Sequence, residues 1–327
     1  MDVINDLKTN DYEQQLLQIN PILINILGMT GELEKKVRQS VSLIQKAVGD
    51  KVVEVAYSGG KDSDVILELT KMAGVKYRAI YKNTTIDPVG TVKHCKEKGC
   101  EIVRPKNDVT FFKLVEQKGF PNRLRRFCCE HLKEYKILDM VIIGVRKSES
   151  RKRAERYKEP IECRFYGSKK KHVQAIYPIL DWSDDNVVEF IKERGIKCHP
   201  LYYDEQGNFH VERRLGCVGC PLISKKRRKQ QFKENKGMLK AWLLWGGRFL
   251  MRRKFKNKHL LFADVFEWFT FELFYSNLND FKNSKQSIFS DSIDYRKFLE
   301  DYFGVDLSWV DTRLEMERKQ FLKQNEK

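Results

Sequence analysis

The string Ser58-Gly59-Gly60-Lys61-Asp62-Ser63 places two hydroxyls, two glycines, a cation and an acid in six consecutive positions. It follows Val52-Val53-Glu54-Val55-Ala56-Tyr57, a β-branched run that reads as a strand. It precedes Val65-Ile66-Leu67-Glu68-Leu69-Thr70, which reads as the start of a helix. A strand, a glycine turn and a helix N-terminus make an anion pocket: glycine lets the backbone approach a ligand, and the first helical N–H groups have no partner within the helix. Ser58 and Ser63 add hydroxyl donors and Lys61 adds positive charge, so the loop suits a phosphate, pyrophosphate or sulfate group. Its spacing is not that of a Walker A loop, nor that of the Gly-x-Gly-x-x-Gly dinucleotide turn.

Sulfur supplies the second chemistry. Eight cysteines stand at 95, 100, 128, 129, 163, 198, 217 and 220. Cys128 and Cys129 are adjacent, and Cys217 and Cys220 form a C-x-x-C knuckle within Leu215-Gly216-Cys217-Val218-Gly219-Cys220-Pro221. Such a knuckle can place two sulfurs on one metal centre, and two further thiolates complete a four-ligand site for zinc or an iron–sulfur cluster. Adjacent ligands are awkward on a single zinc because neighbouring side chains diverge, whereas a cubane offers separate irons to separate sulfurs; a 4Fe–4S cluster is the favoured expectation, with zinc as the alternative. Cys95 and Cys100 are expected in a helix and at a strand edge, and Cys163 and Cys198 are read as structural. His131, His199 and His210 are read as hydrogen-bonding or surface residues rather than ligands.

The elements that must position these residues alternate between strand and helix. Leu33, Val37, Val41 and Ile44 recur at helical spacing, with Thr30 as a candidate cap, within a helical segment spanning 1–50. Strands are expected at 77–81, 101–103, 140–145 and 175–180, and helices at 88–98 and 109–118. A further helix is expected from Ser183 to Arg194, with Ser183 as its cap. This alternation predicts an α/β fold: a parallel sheet with helices on both faces, whose ligands sit beyond the carboxyl ends of the strands. From about residue 225 onward the pattern is mainly helical. The expected domains are 1–50, 51–222 and a basic helical region at 223–327.

Charge is large and uneven. The formal net charge is +17, yet residues 1–50 hold five Lys/Arg against seven Asp/Glu. Residues 221–260 hold fourteen Lys/Arg and one acid, Glu234, with Trp242, Trp245, Phe249 and Phe255 interleaved. Clustered cations with aromatics fit a DNA- or RNA-binding surface, placed at residues 225–258, because phosphates attract Lys/Arg and bases stack on rings. No run of eighteen apolar residues and no basic-then-apolar leader is found, so the expected location is the cytoplasm, where thiols stay reduced.

Loop and cysteines together make the chain resemble the phosphoadenosine/adenosine phosphosulfate reductase family of the PP-loop superfamily, and within it the reductase-like proteins frequent in phages and prophages. The resemblance is carried, in order, by Ser58 to Ser63, by Asn83-Thr84-Thr85-Ile86-Asp87-Pro88, by Cys128-Cys129-x-x-Leu132-Lys133, and by Gly144-Val145-Arg146 through Arg153. Pro178 to Ser183, Pro200-Leu201-Tyr202 and Gly216-Cys217-x-x-Cys220 complete it. It implies a Rossmann-like, adenine nucleotide α-hydrolase-like fold. It also implies a site in which Ser58, Gly59, Gly60, Lys61, Asp62 and Ser63 hold phosphate or sulfate oxygens. Arg146, Ser150 and Arg153 would add contacts to the anion, and Thr85 and Asp87 would border the nucleotide. Asp62 would orient the loop or hold Mg2+ with ATP. Cys128, Cys129, Cys217 and Cys220 would ligate one 4Fe–4S cluster.

The chain departs from that pattern at one point. Assimilatory reductases of the family use a thiolate in a C-terminal tail, and here no cysteine follows Cys220. Three readings follow. The first is an ATP-dependent sulfurtransferase acting on a nucleic acid with a sulfur donor. The second is a reductase of adenosine phosphosulfate or its 3′-phosphorylated form, using a partner thiol reductant or Cys163 or Cys198. The third is a nucleotide-sensing, nucleic-acid-binding protein that is not an enzyme.

Overall fold

The computed structural model describes residues 31–104, 109–166, 171–255, 260–285 and 293–325. Two compact units share the chain discontinuously. One comprises Met1–Asn83, Val89–Val103 and Glu134–Leu215; the other comprises Thr84–Pro88, Arg104–Lys133 and Gly216–Lys327. Packing therefore divides the chain differently from a single cut near residue 222, because the apolar side chains Ile86, Phe111, Leu114 and Phe120 share a core with Trp242, Phe232 and Phe269.

The first unit is α/β. Helix α1 (Gly31–Val48) leads into β1 (Val53–Tyr57), α2 (Lys61–Ala73), β2 (Tyr77–Lys82), α3 (Thr91–Glu97), β3 (Glu101–Val103) and β4 (Met140–Ile142). A short 3-10 turn (Lys147–Glu149) and α6 (Arg151–Arg156) precede β5 (Ile161–Tyr166), β6 (Lys171–Ile176) and α7 (Asp184–Glu193); α4 and α5 belong to the other unit. The sheet order is β3-β2-β1-β4-β6-β5, all parallel except the β5–β6 pair. Leu33, Val37, Val41 and Ile44 of α1 are all buried, as their spacing requires, and share a core with Val65, Ile66 and Leu69 of α2 and Phe190 of α7. Ser183 caps α7 by accepting from the Asn186 N–H at 3.1 Å. The Thr30 cap, with the rest of 1–30, lies outside the described residues.

Three expected elements have different bounds, one of them displaced: β6 runs Lys171–Ile176 where 175–180 was expected. The strand at 175–180 ends at Ile176, because Pro178 has no N–H for a ladder and Tyr177 to Leu180 close a turn. The strand at 140–145 ends at Ile142, where Val145 N donates to Ile143 O at 2.9 Å and turns the chain out of the sheet. The helix at 88–98 begins only at Thr91, after Gly90 at φ +89°. Strand β5, whose edge position gives it no continuous apolar signature, was not anticipated.

The second unit is helical: α4 (Phe111–Lys118), α5 (Phe127–Leu132), α8 (Lys225–Glu234), α9 (Lys236–Phe255), α10 (Val265–Phe274), α11 (Leu278–Lys285), α12 (Tyr295–Phe303) and α13 (Ser308–Asn325). Its core is aromatic, with Trp242, Phe232 and Phe269 all fully buried. No helix among the described residues is long and apolar enough to cross a membrane.

Candidate functional site

In the α/β unit the strand order reverses direction at β1, with β2 on one side and β4 on the other. The loops leaving β1 and β4 are therefore neighbours at the carboxyl edge, where open α/β sheets bind ligands. Gly144 follows β4, and a Cβ there would lie 2.8 Å from the Asp62 carbonyl oxygen; only glycine allows this approach. Within the loop Gly59 has φ +79°, which a side chain rarely adopts, and Gly60 precedes α2 in an extended conformation. Ser63 donates its hydroxyl to Gly60 O at 2.6 Å, and Ser58 Oγ approaches Ser63 Oγ at 3.3 Å. The two serines thus build the turn as well as offering oxygen atoms to it.

Lys61 is 3 % exposed; its Nζ lies 3.3 Å from Asp62 Oδ2 and 5.6 Å from the Tyr202 ring centre. Asp62 is shared: its Oδ1 accepts from Arg146 Nε at 2.7 Å. Arg146, 1 % exposed, spends the rest of its guanidinium on Ser148 Oγ (2.9 Å) and Asp184 Oδ1 (2.6 Å). The resemblance implies a ligand contact for Arg146; in the structure its guanidinium also ties the loop to the first turn of α7. Arg153 pairs with Glu149, and Arg214 Nη2 donates to Glu149 O at 3.1 Å. Burial and then the neighbouring Arg214 lower the proton affinity of Arg153, the mark of cations crowded on one side. Ser150 caps α6 by accepting from Arg153 N at 3.3 Å.

Sequence reading missed Tyr202, Gly144, Asp184 and Arg214. Tyr202 lies beneath the loop, where its hydroxyl accepts from Leu215 N at 3.2 Å and burial pushes its pKa up to about 12. Its only sequence signal was the Pro200-Leu201-Tyr202 string. Asp184 falls at the start of the helix expected from Ser183 to Arg194.

The helical unit gathers the four cysteines. Cys128, Cys129, Cys217 and Cys220 line one small recess together with Thr84, Lys133 and Trp242. Thr85 and Asp87, expected beside a nucleotide, also belong to this unit. Thr84 donates to Asp87 Oδ2 at 2.6 Å, and the Cys217 thiol reaches Thr84 Oγ1 at 3.6 Å. Thr85 has φ +65°, an uncommon conformation for a β-branched residue, and its hydroxyl accepts from Phe111 N at 3.0 Å. Burial pushes the Cys217 thiol up to about 12, against the opposing pull of Lys133. Cys128 is raised too, by its hydrogen bond with Cys129 and then by burial. The Cys217 charge, ahead of Asp87, raises the proton affinity of Lys133 in turn.

Four sulfurs facing one recess, with a cation beside them, are a donor set that suits a thiolate-bound centre. Among the described residues no group of three or more His, Cys, Asp or Glu side chains is arranged around one metal ion. A cubane makes a different demand, because each sulfur binds its own iron.

The remaining expected residues fall elsewhere. Cys95, Cys100 and Cys198 are buried, and Cys163 is exposed on β5 with its Sγ 3.3 Å from His172 Nδ1. His199 is buried and takes the Leu201 N–H on Nδ1, while His210 pairs with Asp204 and Glu212. The aromatics of the basic region do not form an open stacking platform. Trp242 is fully buried, Trp245 stacks on Phe112, Phe249 packs on Trp268, and Phe255 stacks on Phe321. The cations there are divided as well: Arg228 is 4 % exposed and points inward, whereas Lys226 and Lys233 are exposed.

Sheet order, a glycine turn after β1 and a four-cysteine recess together define an α/β protein of the PP-loop kind. Residues 52–223 match the model of the phosphoadenosine phosphosulfate reductase domain, and the chain belongs to that family. It is 30 % identical over 226 residues to an uncharacterized protein of Methanocaldococcus jannaschii, covering 64 % of this chain and 43 % of that one. It is 32 % identical over 139 residues to an uncharacterized 37.8 kDa protein of Escherichia phage 186, covering 38 % of each. The chain thus spans less than half the length of these relatives. Among solved structures it is similar to a phosphoadenylyl-sulfate reductase from Candida auris in a phosphate complex, at 17 % identity and TM-score 0.38, covering 56 % of this chain and 98 % of that one.

Proposed function

We propose that the chain binds an adenine nucleotide at the Ser58–Ser63 loop and performs sulfur chemistry with a 4Fe–4S cluster on Cys128, Cys129, Cys217 and Cys220, as an ATP-dependent sulfurtransferase acting on a nucleic acid. The observation that carries this reading is the recess in the helical unit where all four motif cysteines converge beside Lys133. In the reaction proposed, an acceptor oxygen bonds to the α-phosphorus of ATP and pyrophosphate leaves. A sulfide from a sulfur donor then forms a carbon–sulfur bond at the activated carbon, and AMP departs with the oxygen. Lys61 and the loop N–H groups hold phosphate oxygens, Arg153 adds positive charge, and Mg2+ accompanies the ATP. The cluster, when bound by all four cysteines, supplies redox-active iron and local charge, and the sulfide itself comes from the donor. Exposed Lys226 and Lys233 supply phosphate contacts for the nucleic acid.

A second reading, reduction of a sulfonucleotide, has one observation in its favour. It needs a thiolate nucleophile. Cys198 is 5 % exposed and burial raises its pKa, but Cys163 is exposed beside His172.

Thermal shift with ATP, adenosine phosphosulfate and its 3′-phosphorylated form tests the site, since a ligand that binds only the native state raises the midpoint. Pyrophosphate release stimulated by nucleic acid supports sulfur transfer. Thioredoxin-dependent sulfite release, lost in Cys163→Ser, supports reduction instead. Anaerobically purified protein is expected to carry about four irons and to absorb near ~400 nm. Cys217→Ser is expected to lose them; full iron content in that variant would mean the ligands are misassigned.

A further inference from the structure

The knuckle is gripped along its backbone. Val218 N donates to Ile86 O at 2.8 Å, and Cys220 N donates to Cys217 O at 3.3 Å. The peptide groups of Gly219 are taken by side chains from α8: its N–H donates to Gln231 Oε1 at 2.9 Å, and its carbonyl accepts from Arg228 Nε at 3.1 Å. Gly219 has φ +78°, and a Cβ on it would come within 2.5 Å of the Phe232 ring. Phe232 lies on the same helix and is fully buried. One turn of α8 therefore presents an acceptor, a donor and a ring to Gly219, between the sulfurs. Arg228 is inaccessible to a polyanion, so part of the basic run 225–229 has a different purpose from the rest of it.

We infer that Arg228 and Gln231 are positioning residues that aim Cys217 and Cys220 into their recess, so that the metal-binding competence of the centre is built into α8. The inference rests on the cysteine reading proposed above. It assigns these two residues no contact with any ligand; they act through Gly219. Residues that orient metal ligands in this way typically change metal affinity ~10- to 100-fold when replaced.

The test uses the full chain, purified anaerobically, with iron and zinc counted and the rate of metal release to a chelator measured. Gln231→Leu removes the acceptor and is expected to speed release ~10- to 100-fold. Gln231→Glu keeps an acceptor oxygen and is expected to restore a rate close to wild type, a rescue that general destabilisation would not give. Arg228→Met is expected to behave as Gln231→Leu; should it fail to fold, the Gln231 pair decides. In metal-free protein, alkylation of Cys217 is expected to be faster in Gln231→Leu than in wild type. A loaded wild type whose Gln231→Leu variant releases metal at the same rate overturns this inference alone. A wild type that binds neither iron nor zinc overturns the cysteine reading itself, and this inference with it.

Discussion

The Ser58–Ser63 loop and the cysteine knuckle are both short glycine turns, yet they are held by opposite means. The loop is braced by charge: Asp62 stands between Lys61 and Arg146, and Arg146 reaches on to Asp184. The knuckle is braced by hydrogen bonds to its backbone and by aromatic rings, and its two sulfurs line the recess with those of Cys128 and Cys129. A charge-braced turn stays open to competition from a charged ligand, because an incoming phosphate meets groups already balanced against one another. A turn braced by packing keeps its shape whatever the charge state of its sulfurs.

Breaking the charge brace is expected to have the largest effect. Arg146→Ala leaves Asp62 beside one cation instead of two and empties a fully buried site; stability should fall by about 3 kcal/mol, read as a lower denaturant midpoint at unchanged slope. If Arg146 served only the ligand, unfolding of the free protein would be unaffected. Gly219→Ala tests the other brace: a methyl at φ +78° against the Phe232 ring should cost about 2–3 kcal/mol, measured by chemical unfolding of the metal-free protein. The same substitution at Gly216, where an added Cβ meets nothing within 4 Å, gives the control.

Lys61→Ala separates binding from folding. Loss of one charged contact should weaken nucleotide affinity by about 1.5–3 kcal/mol, roughly 10- to 150-fold, in a protein that still folds with a smaller stability loss than Arg146→Ala. Unchanged affinity would remove the loop from the site.

The remaining effect concerns pH and is confined to alkaline conditions. Burial raises Cys100 and Cys217 from 9.0 to about 12. A thiol whose folded pKa lies above its unfolded value keeps its proton longer in the native state. Its contribution is complete below pH 9 and is lost as pH rises toward 12. Metal-free protein should therefore lose stability between about pH 9 and about pH 12, and Cys100→Ala should shallow that decline. Metal loading runs the other way, since each thiol must give up its proton, so iron retention should improve as pH rises from acid to neutral.

Much of this was legible in the sequence because it depends on neighbours along the chain. The strand–glycine–helix order around Ser58–Ser63, the helical spacing of Leu33 to Ile44 and the Ser183 cap are local patterns, and each takes the form its residues dictate. Aromatic spacing in the basic region was legible too, but its meaning was not. Trp242 and Phe249 fit a stacking surface equally well on paper, and only the core partners Phe111, Phe232 and Trp268 show where they point.

The sequence by itself determined where the sulfurs stand along the chain, the strand–glycine–helix order around Ser58–Ser63 and the family, because those follow from residue type and short spacing. Tertiary structure alone decided which arginine braces the loop, which cation lies beside Cys217 and which helix holds the knuckle. Arg146 meets Asp184 across thirty-eight positions and Thr84 meets Cys217 across one hundred and thirty-three. Partners so far apart in sequence are chosen by the sheet order and the aromatic core, and no local pattern encodes that choice.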